Sequence, residues 1–91
     1  MTVDNKKKSL VNIRKSIGIL EKVISMVENG EYCIDIVQQN LASIGLIKSA
    51  NNTILECHLR TCFKDAILSK DETRQESMIK ELININNVKI K

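Results

Sequence analysis

The stretch EYCIDIVQQNLASIGLIKSANNTILECHLRTCFKDAIL, Glu31 to Leu68, decides the fold. It holds one Gly (Gly45) and no Pro. Val37, Leu41, Ile44, Ile47, Ile54 and Leu55 advance at helical spacing. The polar run Ser49 to Thr53 is the one place for a break, but Asn51 and Asn52 have no Gly or Pro beside them. The spacing predicts a single helix over 31–68. Such a helix would be roughly 55 Å long at 1.5 Å per residue. A 91-residue globule is narrower than that, so this helix is expected to lie against another chain.

On the N-terminal side, Leu10, Ile13, Ile17, Leu20, Ile24 and Val27 repeat at alternating steps of three and four, a heptad seam. They predict helix 1 over 9–29, stopped by Gly30 in the left-handed conformation. Gly18 lies inside that helix, where a Gly is unfavourable unless a neighbour comes close, so a close helix contact is expected there. On the C-terminal side, Ser69-Lys70-Asp71-Glu72 has the spacing of a capping box. It opens a helix 3 over 70–87, carrying Met78, Ile79, Leu82, Ile83 and Val88. The fold class is therefore all-α: three helices, the central one much the longest.

Composition agrees. The chain has one Tyr, one Phe, no Trp, no Pro and three Gly. That is too little turn chemistry for a β-sandwich or barrel and too few aromatics for a base-stacking platform. No apolar run is long enough to span a membrane, and no signal peptide opens the chain, so a cytoplasmic protein is expected. One His, no Gly-rich phosphate loop and no paired nucleophile and base leave no catalytic constellation. Neither an enzyme nor a small-molecule substrate is expected.

The net charge is +3. Residues 1–15 hold five basic side chains, Lys6, Lys7, Lys8, Arg14 and Lys15, against Asp4. The remaining nine basic and ten acidic groups nearly cancel. A flexible basic arm over 1–8 on a near-neutral body fits an anionic partner such as a nucleic-acid backbone; a merely solvated tail is the alternative.

Three Cys and one His remain: Cys33, Cys57, His58 and Cys62. In a reducing compartment structural disulfides are rare, so metal binding or thiol chemistry comes first. His58 and Cys62 are four apart and share a helix face. Cys33 is roughly 37 Å away along a continuous helix and cannot join them within one chain. Two copies packed antiparallel would bring it there. Their two-fold axis would cross near Leu46, beside Gly45, where a Gly admits a close backbone approach. Two thiolates and an imidazole are a soft, three-coordinate set suited to Cu(I); structural zinc usually takes four ligands. Cys57 sits about 100° around the helix from His58 and is left out of the set. The same thiolates also open a route to reactive sulfur chemistry.

Met26 to Gln39, with Tyr32-Cys33-Ile34-Asp35-Ile36 at its centre, and Cys57-His58-Leu59-Arg60-Thr61-Cys62-Phe63 together resemble the copper-sensing repressor family, the CsoR/RcnR/FrmR type, over about residues 10–83. The resemblance implies an all-helical protomer that dimerises through helix 2, with dimers pairing into tetramers. It implies a cytosolic repressor that releases operator DNA on binding its inducer. It also implies Cys33, His58 and Cys62 as ligands across the dimer interface, with Tyr32 and, allowing a shift in the preceding loop, Glu81 behind them. Nickel and cobalt members use an N-terminal His that is absent here; formaldehyde members lack the second Cys, and persulfide members lack the His. The pattern favours Cu(I).

The DNA side departs from the family. The usual helix 1 pattern Arg-Leu-x-Arg, with Gly-Gln after it, reads Asn12-Ile13-Arg14-Lys15 and Gly18-Ile19 here. A helix 2 Arg of some members falls at Ser49, beside Lys48. Base-specific contact is either lost or relocated to Arg14, Lys15, Lys48 and the Lys6-Lys7-Lys8 arm. Three functions follow as expectations: a Cu(I)-responsive repressor, a reactive-sulfur-responsive repressor working through Cys33 and Cys62, or a metal-binding helical protein without DNA binding.

Overall fold

A computed structural model describes residues 1–86. All regular structure among them is helical, with no strand. α1 spans Val3–Glu28, α2 Cys33–His58, α3 Lys64–Leu68 and α4 Glu72–Asn86; a π-helical turn, Leu59–Phe63, stands between α2 and α3. Every residue from Cys33 to Leu68 is thus helical, as the missing breakers predicted. The polar run Ser49–Thr53 stays in α2, with the Thr53 hydroxyl donating to the Ser49 carbonyl one turn back (3.2 Å). The expected residue Asn87 of helix 3, and Val88, lie outside the described residues.

The chain forms two compact units, Met1–Cys57 and His58 onward. In the first, α1 and α2 make an antiparallel hairpin. Ser16 lies against Ser43, with their hydroxyls in contact, and the Asn12 amide donates to the Ser49 hydroxyl (3.2 Å). The turn is a complete Schellman motif. Glu31 N–H donates to the Met26 carbonyl (3.0 Å) and Gly30 N–H to that of Val27 (3.1 Å). Gly30 holds φ +65°, which only Gly adopts without strain.

The start of α1 corrects the expected flexible arm. Thr2 caps the helix by accepting from the Asn5 N–H (3.2 Å), and Asp4 in the first turn suits the positive helix end. Lys6, Lys7 and Lys8 therefore stand on a capped helix.

The seam between α1 and α2 is not the heptad stripe of helix 1. Ser9, Ser16, Val23 and Met26 are buried on α1, and Ser43, Ala50 and Cys57 on α2. These residues are mostly small, which lets the two backbones come close. Leu10 and Ile13 of the heptad are half-buried, but most of its residues turn outward: Ile17, Leu20, Ile24 and Val27 are exposed, Ile24 by 59%. So are Ile34, Val37, Leu41 and Ile44 of α2, Leu41 by 60%. Helical phase puts the two sets on one side. Rotating from Ser16, the α1 set lies at about 20–100°; from Ser43, the α2 set lies at about 100–180° in the same sense. In an antiparallel pair equal sense means the same side, so the hairpin carries one broad apolar face. Gly18 is not a close contact, since a Cβ there would meet nothing within 4 Å.

In the second unit Ala66 is fully buried and the Gln75 side-chain amide ties α4 to the Ile67 carbonyl (2.8 Å). The cap of α4 is Asp71, not the expected Ser69. The Asp71 carboxylate accepts from the Arg74 N–H (3.1 Å), while the Ser69 hydroxyl donates to the Ala66 carbonyl (2.6 Å) and accepts from the Asp71 N–H ahead of the helix (3.3 Å). Lys70 between them takes φ +60°, the left-handed position that follows α3.

Candidate metal centre and nucleic-acid interface

Cys33 is the first residue of α2 and His58 the last. Twenty-five helical steps separate them, so one copy cannot place both on an ion. Among the described residues, no three His, Cys, Asp or Glu side chains of one chain are grouped to hold a metal. Cys33 and Cys62 are exposed thiols. His58 is half-buried, and Tyr32 and Glu81 are exposed.

Cys62 lies in the π turn. An α-helix overshoots a full turn by about 40° at position i+4. A π turn takes more residues per turn and removes that overshoot, and such insertions recur at functional sites. The sequence carries no Gly or Pro that would have announced it. The Thr61 hydroxyl donates to the Cys62 sulfur (3.7 Å). Chemically, two thiols and an imidazole offer soft donors without a fourth ligand, a set that fits Cu(I).

Cys57 faces the hairpin interior, as its helical phase implies, and is 3% exposed. The backbone N–H of Thr2 donates to its sulfur and holds the thiol below its ordinary value, with the Asn5 side chain and the Met1 ammonium adding to this and burial opposing it. Sequence reasoning missed this contact because Thr2 and Cys57 meet only through the fold.

Lys6, Lys7, Lys8, Arg14 and Lys15 on α1 and Lys48 on α2 are all exposed. Asn12 and Ser49, the two positions where the basic pattern of helices 1 and 2 is interrupted, stand opposite each other and are hydrogen-bonded. A neutral polar pair thus stands where the family pattern has basic residues. Among the described residues no helix is long and apolar enough to cross a membrane.

A helical chain with thiols and an imidazole near the two ends of one helix and a basic first helix has the features of a class, the helical metal-responsive regulators. The chain belongs to the metal-sensitive transcriptional repressor family, whose model matches residues 5–87. That is a family of transcriptional repressors, not of enzymes. Three similar proteins are each named copper-sensing transcriptional repressor CsoR. The Mycobacterium ulcerans protein is 35% identical over 81 residues, 89% of this chain and 67% of its own length. The Mycobacterium tuberculosis H37Rv protein is 34% identical over 80 residues, 87% of this chain and 65% of its own. The Bacillus subtilis protein is 37% identical over 68 residues, 75% of this chain and 64% of its own. The chain therefore spans about two thirds of the length of these relatives. No solved structure matches it.

Proposed function

We propose that this chain is a cytoplasmic, Cu(I)-responsive repressor, working as a dimer or a dimer of dimers, that leaves its operator DNA when copper is bound. The observation that carries the proposal is the pairing of two features of one hairpin. It exposes a broad apolar face, and it ends in a thiol at one end of α2 and an imidazole with a second thiol at the other. A second copy laid antiparallel on that face would cover the apolar residues. The same arrangement would set Cys33 beside His58 and Cys62 of the other copy, twice per dimer by symmetry. The similar proteins, which are copper-sensing repressors, point to copper as the inducer.

Cys33, His58 and Cys62 would hold the ion, and soft coordination is what Cu(I) brings to the site. Tyr32, next to Cys33, and Glu81 on α4 are the residues proposed to orient the ligands by hydrogen bonding. Lys6, Lys7, Lys8, Arg14, Lys15 and Lys48 supply the charge that binds phosphates, so affinity should fall steeply with salt. The neutral Asn12–Ser49 pair shifts the anionic contact toward these flanking residues. Metal and DNA then oppose each other by the same factor in both directions.

X-ray absorption on the Cu(I)-loaded protein tests the site: two sulfurs and one nitrogen are expected, and a sulfur-only shell would remove His58. Fluorescence anisotropy against the protein's own promoter region tests the repressor. Tight apo binding that weakens with Cu(I) is expected, and no binding at low salt would retire it. The exposure of both Cys33 and Cys62 favours a second reading, in which reactive sulfur species link them across the dimer. Mass spectrometry after polysulfide treatment separates the two: a Cys33–Cys62 link in a protein without Cu(I) affinity would replace the copper reading.

A further inference from the structure

Cys57 is the one buried cysteine, and the metal site proposed above does not use it. It closes the open end of the hairpin. Its sulfur accepts from the Thr2 backbone N–H and the Asn5 side chain. The same two residues cap α1: the Thr2 hydroxyl accepts from the Asn5 N–H, and the Thr2 carbonyl from the Lys6 N–H (3.0 Å). Ser9, one turn on, is buried and bonded to the Asn5 carbonyl (2.8 Å). Asn5 thus serves the cap, the second turn and Cys57 at once. On the other side Cys57 is joined through one peptide bond to His58 in the last turn of α2. The turn that Cys57 steadies carries Lys6, Lys7 and Lys8.

We propose that Cys57 is a positioning residue that couples His58 to the basic first turns of α1. While Cys57 sits against Thr2 and Asn5, α1 is capped and Lys6–Lys8 hold a fixed register. When His58 is drawn toward a ligand, the last turn of α2 shifts and Cys57 with it. The cap then loses its support and the basic turn frays. A residue in this position acts on DNA affinity without touching either DNA or metal. The inference rests on the repressor reading above.

The test uses the full-length protein and two variants, Cys57→Ala and Cys57→Ser; the hydroxyl of the second can accept the same hydrogen bonds. Allosteric coupling factors run at roughly 5- to 150-fold. With Cu(I) titrated at fixed operator DNA, Cys57→Ala is expected to cut the wild-type factor to under about threefold. It does so by lowering apo DNA affinity, with Cu(I) affinity in the absence of DNA no lower than wild type, since copper no longer has to break the Cys57 contact. Cys57→Ser is expected to restore most of the factor. Hydrogen exchange without DNA gives an independent readout: the amides of Asn5 and Lys6 should exchange faster in Cys57→Ala, and faster in the wild type once Cu(I) is added. A wild-type factor and unchanged exchange in Cys57→Ala would overturn the inference and leave the repressor reading intact. A wild type whose DNA binding ignores Cu(I) would remove the repressor reading, and this inference with it.

Discussion

The two sides of the hairpin are built in opposite ways. The side where α1 meets α2 is lined mostly by small residues, Ser9, Ser16, Ser43, Ala50 and Cys57, with Val23 and Met26 toward the turn. The side facing outward carries Ile17, Leu20, Ile24, Val27, Ile34, Val37, Leu41 and Ile44. A protomer built to stand alone would put the large residues inside, since burying a Leu or Ile side chain is worth roughly 1.5–3 kcal/mol. Here the small residues hold two backbones close, and the main apolar surface is left for something else to cover. The lesson is that the inner seam sets the shape of the hairpin while the outer face is where most of the stability must be gained.

Breaking the outer face should therefore have the largest effect. Leu41→Asp puts a charge in the middle of the proposed interface. Sedimentation at micromolar concentration should show loss of the dimer, and circular dichroism should show a large drop in helix content in parallel. A dimer of normal stability would mean that this face is not covered by a second copy.

The inner seam should answer to size instead of charge. Ser43→Leu forces a large side chain between backbones already in contact through Ser16, and overpacking of this kind costs about 1–3 kcal/mol. Thermal melting should register it. Ser43→Ala should cost less, because the Ser16 hydroxyl it leaves behind keeps the residue-43 carbonyl as its acceptor (3.4 Å). Equal effects would show that the hydroxyl contact matters more than the closeness.

Two smaller changes act outside both sides. Asp71→Ala removes the cap of α4 and should cost about 1 kcal/mol; Ser69→Ala should leave the cap itself intact, which distinguishes the observed cap from the one the sequence suggests. Gly30→Ala strains the φ +65° position and should cost about 1–2 kcal/mol. Both can be read from denaturant midpoints at unchanged slope.

Much of this fold is written locally. The absence of Pro and the spacing of Val37, Leu41 and Ile44 are enough for the long helix, and Gly30 marks the end of α1 because its terminating conformation needs a residue without a Cβ. The seam was not legible in the same way. Periodicity says which residues share a face; it does not say whether the chain's own second helix or another copy covers that face. The run Leu10 to Val27 is the more apolar stripe, yet the hairpin closes on Ser9, Ser16 and Val23. The start of α1 was missed because Lys6-Lys7-Lys8 reads as a tail until Thr2 is seen to cap it.

The candidate site divides similarly. The donor types and the distance between Cys33 and His58 are plain in the sequence, and so is the need for two chains. The π turn around Cys62 has no sequence signal, and the contact of Cys57 with Thr2 and Asn5 exists only once the hairpin is closed.

The central claim is that each metal site takes Cys33 from one copy and His58 with Cys62 from another. Mixing two inactive variants tests it most directly. Cys33→Ala and His58→Ala should each fail to bind Cu(I) tightly alone. Unfolded together and refolded, they should regain about one quarter of the wild-type sites, because random pairing makes half of the dimers mixed and each mixed dimer keeps one intact site of two. Titration with a competing Cu(I) chelator reads that fraction. Recovery near a quarter is the predicted result; no recovery above the separate variants would contradict a site shared between copies.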